Sequence, residues 1–274
     1  MQNHISTRLK VFFIIFLAVM VLGTVGFMYI EKKSLVDSAY FVIVTMATVG
    51  YGDIHPVTEA GKGLAIVIII MGVGTFLGVI ANVTDMMLAK REMESRMRKL
   101  NMVIGVFFSE VGIGLLETFS RYDPEFDGIR PSLLATANWT DKDFDRAIRN
   151  SRTQEYGAKL AHIDFASLKI LLMDRRDFLV RLLENPVLLE HESFTGLLRA
   201  VFHLTEELAY RSGFDDIPQS DASHLAGDIK RAYHLIVGEW LVYMKFLKKN
   251  YPFLYSLALR TNPFDAQRSV TVKA

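Results

Sequence analysis

The chain contains no cysteine, which excludes disulfides, thiolate catalysis and cysteine-based metal sites. It has no excess of charge either: 31 Lys and Arg stand against 30 Asp and Glu. A sequence so balanced gives no electrostatic reason to bind nucleic acid, and none is expected as a partner. Series of short strands with a Gly-rich phosphate loop are missing, and no internal repeat is found. Beyond Arg91 there is no long apolar run. The pattern there is amphipathic.

Long apolar runs are confined to the first third. Val11 to Ile30 passes twenty residues without a charge, and Gly63 to Thr84 passes twenty-two. Either run spans a hydrocarbon core of ~30 Å at ~1.5 Å per residue. The first is longer than a signal-peptide core and lacks a good cleavage site. Arg8 and Lys10 precede the first run, and Lys90, Arg91, Arg96, Arg98 and Lys99 follow the second. Only Lys32, Lys33 and Lys62 lie between. That bias predicts a multi-pass protein of the cell membrane with both termini in the cytoplasm.

The segment between the runs is Glu31 to Lys62, and it is not a typical polar loop. Ala39 to Val44 is apolar but too short to cross a bilayer, and Ser34 or Asp37 can cap a helix before it. A helix of about a dozen residues reaches roughly 18 Å, half a membrane. The chain must then return as Thr48-Val49-Gly50-Tyr51-Gly52 without regular hydrogen bonding. Non-helical backbone at that depth is tolerated only where protein surrounds it or it lines a watery cavity. Gly50 and Gly52 permit positive φ, so successive carbonyls can turn toward one axis. Rings of carbonyls from four chains can replace the hydration shell of potassium.

Thr48 to Asp53 resembles the selectivity-filter signature of the potassium channel family, and two spans around one pore loop resemble its simplest architecture. The resemblance covers roughly residues 9–90. It implies a homotetramer in a lipid bilayer that conducts K+ and needs no other cofactor. It also implies that carbonyls of Thr48, Val49, Gly50 and Tyr51, with the Thr48 hydroxyl, coordinate the ions, Gly52 closing the motif. Two departures stand out. Val44 sits where some bacterial channels carry a carboxylate that pairs with the aspartate matching Asp53, so Asp53 needs water or a neighbour such as Tyr40. Tyr40-Phe41 replaces a common tryptophan pair, and Phe41 has no donor. Filter-type inactivation is therefore expected.

Gly72, Gly74 and Gly78 lie inside the second run, where each glycine costs about 1 kcal/mol relative to alanine. By the resemblance, Gly72 is the gating hinge; Gly74-x-x-x-Gly78 has the spacing of close helix packing. No Arg-rich span precedes the pore, so gating without a voltage sensor is expected.

The remainder predicts a helical bundle, which makes the chain all-α. The expected order is a pore domain at 1–90 (span 9–30, pore helix 35–47, filter 48–52, span 62–89), a charged linker helix at 91–100, and a helical cytoplasmic domain at 101–274. Asn101 to Gly105 looks like a short strand, but no GxGxxG follows. Single helices are expected over 160–183, 187–211 and 220–249, and Thr140 to Asp143 resembles a capping box. No nucleophile–base constellation points to an enzyme. Of the titratable pairs, His203 with Glu206 and His224 with Asp228 share helix faces and form a candidate metal site; His162 and Asp164 form another pair. The function expected is a potassium channel subunit gated through its helical domain. The alternative is a non-selective or sensor-type membrane protein whose helical domain binds a metal or small ligand.

Overall fold

A computed structural model describes residues 2–157, 163–189, 191–214 and 217–271. Every regular element among them is helical. The chain divides into two compact units, Met1–Ser95 and Arg96–Ala274.

The first unit opens with α1 (Gln2–Glu31), followed by the short α2 (Leu35–Met46) and then α3 (Glu59–Val67). A π-helical segment, Ile68–Val73, joins α3 to α4 (Gly74–Phe107) without a break in the helical path. Ser34 caps α2 by accepting from the Asp37 N–H at 3.1 Å. Thr58 caps α3 in the same way through Gly61. From the first turn of α4 the Thr75 hydroxyl donates back to the carbonyls of Met71 (2.8 Å) and Gly72 (3.0 Å) in the π segment. Such back-bonding is a known cause of helix bending.

A small core ties these elements together. Phe27 of α1 stacks on Phe41 of α2 at 4.1 Å, and Val42, Met46, Ala65 and Ile68 complete it. α1 and α4 approach closely at Gly78, where a Cβ would lie 2.6 Å from the Phe12 ring. The helical stretches Thr7–Glu31 and Glu59–Arg121 each hold an 18-residue apolar segment, of which only 17% and 22% is buried inside the chain. A core helix of a soluble protein would be mostly covered, so these faces are built to meet lipid or other chains. The chain is a membrane protein with at least two spans.

The second unit continues after α4 through a π-helical segment, Phe108–Gly112, into α5 (Ile113–Arg121). Short α6 (Phe126–Ile129) leads to α7 (Asp141–Thr153), α8 (Phe165–Asp174), α9 (Arg176–Leu183) and α10 (Pro186–Leu189). Two long helices, α11 (Glu192–Ala209) and α12 (Gln219–Asn250), precede the closing α13 (Pro252–Arg260). α12 is the axis of the core, with Ile229, Tyr233, Ile236, Trp240 and Met244 fully buried. Aromatic edges lock neighbours to it: Phe108 meets Trp240 at 5.1 Å and Phe119 meets Tyr233 at 5.5 Å. Burial without a partner for its hydroxyl pushes the Tyr233 pKa far up, and the nearby Asp123 charge adds to this.

Three sequence expectations change. Residues 101–105 are part of α4, not a strand. Of the helix expected over 160–183, residues 160–162 lie outside the described residues and the rest holds two helices, α8 and α9, parted at Arg175, whose N–H turns to the Leu172 carbonyl at 3.2 Å. The helix expected over 187–211 is also two, α10 and α11: residue 190 lies outside the described residues, and His191 has a non-helical backbone while its ring accepts from the Phe194 N–H as the cap of α11. The capping box at Thr140 and Asp143 is present in both directions.

Candidate functional site

Two places gather the candidate residues. The first follows α2. Thr48, Gly50 and Gly52 have φ of 54° to 80°, whereas Val49 and Tyr51 do not enter the positive range. The left-handed region is open to glycine at little cost. For Thr48, a β-branched residue, φ of 60° is strain of about 1–3 kcal/mol. Part of the backbone still reaches α2: the N–H groups of Val49 and Gly50 both donate to the Val44 carbonyl, at 2.9 and 3.3 Å. A Cβ at Gly50 or Gly52 would meet nothing within 4 Å. Backbone conformation, not crowding, selects glycine here.

Around this segment, Tyr40 donates its hydroxyl to Asp53 at 3.0 Å, and Phe41 packs on Phe27 instead of making polar contacts. His55 Nδ1 lies 3.3 Å from the Gly52 carbonyl. Tyr51 is 72% exposed in the single chain and Val49 52%. Gly72 is buried inside the π segment, where a Cβ would fall 2.6 Å from Met46 Cγ. Gly74, expected to pack, has open space. The ends of the loop are clamped by Glu31, whose carboxylate accepts from the Val57 and Thr58 N–H groups and the Thr58 hydroxyl.

The second place is the α11–α12 interface. His203 and Glu207 are one turn apart on α11, as are His224 and Asp228 on α12. Asp228 Oδ2 lies 3.4 Å from His203 Nε2 and 3.4 Å from His224 Nε2. Glu207 presents Oε1 at 3.9 Å from His203 and Oε2 at 3.8 Å from His224. Glu206, expected in this group, instead pairs with Arg176 at 3.0 Å, on the other side of the helix turn. Glu207 takes its place. Arg211 donates to Glu207 Oε2 at 2.8 Å and to both oxygens of Asp221. That guanidinium holds the Glu207 and Asp221 carboxyls below their ordinary pKa. His162 lies outside the described residues, and Asp164 caps α8 through Ser167.

Comparison with known proteins divides at the same point as the fold. A family profile described as "Uncharacterized protein MJ1433, C-terminal helical domain" matches residues 96–260. The protein MJ1433 of Methanocaldococcus jannaschii is 44% identical over 183 residues, 67% of this chain and 73% of that protein. The chain belongs to the MJ1433 C-terminal helical domain family.

Ahead of that family domain, a profile described as "Ion channel" matches residues 14–89. The voltage-gated potassium channel Kch of Escherichia coli is 40% identical over 70 residues, 23% of this chain and 17% of that protein. Two-pore potassium channel 5 of Arabidopsis thaliana is 51% identical over 45 residues, 16% of this chain and 11% of that protein. The chain thus spans only a small part of these channels. The matches give this MJ1433-type protein a distant relationship to the potassium-channel superfamily and a general ion-channel role. It is a transport-type protein, not an enzyme.

Sequence reasoning missed two participants, Glu207 and Arg211, and it named Thr48 without foreseeing its backbone conformation. Glu207 was signalled only by its i+4 distance from His203, which Glu206 at i+3 rivals. Arg211, one turn further on, was not singled out at all. Thr48 at positive φ contradicts what a β-branched residue ordinarily adopts, so propensity alone could not find it.

Proposed function

We propose that four copies of this chain form a potassium-selective pore in the cell membrane, with α2 as pore helix and Thr48–Gly52 as filter. The observation that carries this reading is positive φ at Thr48, Gly50 and Gly52 within a TVGYGD sequence between two apolar helices. Alternation in the sign of φ lets successive carbonyls face one side, where a fourfold axis gathers them into rings. Carbonyls of Thr48 to Tyr51 and the Thr48 hydroxyl then take the place of water around K+. The exposed Tyr51 and Val49 side chains would be covered by neighbouring subunits, as would part of the apolar surface of α1 and α4.

Support for the filter comes from Asp53 held by Tyr40, from the Val44 carbonyl beneath Val49 and Gly50, and from Phe41 seated on Phe27. Gly72 serves as the hinge of the inner helix. Its place in a π-helical segment favours this role, since such segments recur at functional bends. Both termini face the cytoplasm, and the MJ1433-type unit gates the pore from there. Residues 91–100, inside the unbroken α4, carry its state toward the gate.

Purified protein in liposomes, assayed for flux under opposed potassium and sodium gradients, tests the proposal. Barium-sensitive, potassium-driven flux is expected, with a cross-linking ladder ending at four chains. Equal potassium and sodium flux would reject selectivity and leave a non-selective, sensor-type membrane protein. That second reading draws its support from the histidine–carboxylate cluster of α11 and α12.

A further inference from the structure

We infer that His203, Glu207, His224 and Asp228 form a binding site for one divalent transition-metal ion of the zinc class, joining α11 to α12. Two pairs at i,i+4 on neighbouring helices are the means by which helical bundles build metal sites. The site lies wholly within the second unit and does not depend on what the pore conducts.

The donor atoms are spaced much as the ligands of one tetrahedral ion are. With bonds of ~2.0–2.1 Å, the donor atoms of a tetrahedral zinc site lie ~3.3–3.4 Å from one another. Asp228 Oδ2 is 3.4 Å from each imidazole Nε2. Glu207 Oε1, the oxygen Arg211 does not hold, stands further off at 3.9 Å from His203 Nε2, and a side-chain rotation is needed to bring it into the set.

Asp228 is the decisive residue. It is only 4% exposed, and its Oδ2 has no hydrogen-bond partner although two ring nitrogens face it. A buried carboxylate oxygen left this way is costly unless something compensates it. A single divalent ion satisfies all four groups together.

The outer oxygens are already engaged. Arg231 lies 3.4 Å from Asp228 Oδ1, and Arg211 holds Glu207 Oε2 at 2.8 Å. Each carboxylate therefore keeps one oxygen for the ion while an arginine orients the other, the outer support that metal ligands characteristically have. The imidazoles are about half exposed, at 48% and 53%, so an ion can enter from solvent. Two nitrogens with two oxygens favour zinc, cobalt or nickel over magnesium or calcium, which prefer oxygen alone.

The test uses the full-length, tag-free protein in detergent, stripped with chelator and titrated with Zn2+ against a chromophoric competitor. One ion per chain is expected. H203Q/H224Q should weaken binding at least a hundredfold, while E206Q should bind as the parent does. Co2+ loading should give the strong visible absorption of a tetrahedral centre. Because D228N removes a buried charge, its melting temperature is followed with and without Zn2+: the parent should gain stability on zinc addition and D228N should not. Binding no tighter in the parent than in H203Q/H224Q would overturn the site, and so would an equal zinc-induced gain in D228N. None of these readouts involves flux, so failure of the pore reading leaves them unaffected.

Discussion

Tyr40 Oη donates to Asp53 Oδ2 at 3.0 Å, joining α2 to the residue that follows Thr48–Gly52. With Val44 unable to pair with Asp53 and Phe41 committed to Phe27, this bond is the polar brace described behind the proposed filter. Replacement by Y40F should leave potassium selectivity in place but raise the rate of entry into a non-conducting state several-fold. Single-channel burst durations measure it. Unchanged bursts in Y40F would mean that the brace has no part in filter stability.

Gly72 and Gly74 are two residues apart yet should respond in opposite ways. A methyl at Gly72 collides with Met46 Cγ, and overpacking of this kind costs about 1–3 kcal/mol. A methyl at Gly74 meets nothing, and alanine is favoured over glycine in a helix interior by about 1 kcal/mol. Thermal unfolding in detergent should therefore show G72A below the parent and G74A at or above it. Open probability should fall in G72A if the bend is used in gating.

The loop clamp at Glu31 accepts three donors from Val57 and Thr58. E31A removes all three at once and should loosen the start of α3, which its own cap, Thr58, shares. A lowered melting temperature and a reduced tetramer fraction on gel filtration are expected, with a smaller effect from E59A.

Acid sensitivity of the helical unit should report its caps. Thr140 N–H and hydroxyl bonds lower the Asp143 pKa, and Ser167 does the same for Asp164. A depressed carboxylate contributes stability above its unfolded pKa of about 3.9, and that contribution is lost as pH falls through the lower folded value. Melting temperature should therefore decline below about pH 4, and D143N and D164N should each flatten that decline. A profile that both variants leave unaltered contradicts the assignment.

Much of this was legible because burial and period coincide. The two apolar runs, the cap at Ser34 and the capping box at Thr140 are local signals, and each appears where the sequence placed it. What was hidden depends on partners remote in sequence. Arg175 interrupts a leucine stripe that remains buried on both sides of the break, at Leu172 and Leu179, so periodicity gave no warning. Glu206 and Glu207 are equally plausible ligands by spacing from His203; Arg176 takes one, and α12 faces the other. Gly74 carries the same letter as Gly78, but only Gly78 has Phe12 against it. The π segment at Ile68–Val73 is marked in the sequence by Gly72 but by no proline, and only the hydrogen-bond path reveals its π form.

The central claim is that Thr48–Gly52 selects potassium. Bi-ionic recordings from purified protein in planar bilayers, with potassium on one side and sodium on the other, test it most directly. The account predicts a reversal potential shifted strongly in the direction of potassium selectivity and a loss of that shift on G50A, whose φ of 54° alanine does not readily adopt. A reversal potential near zero in the parent protein would contradict it.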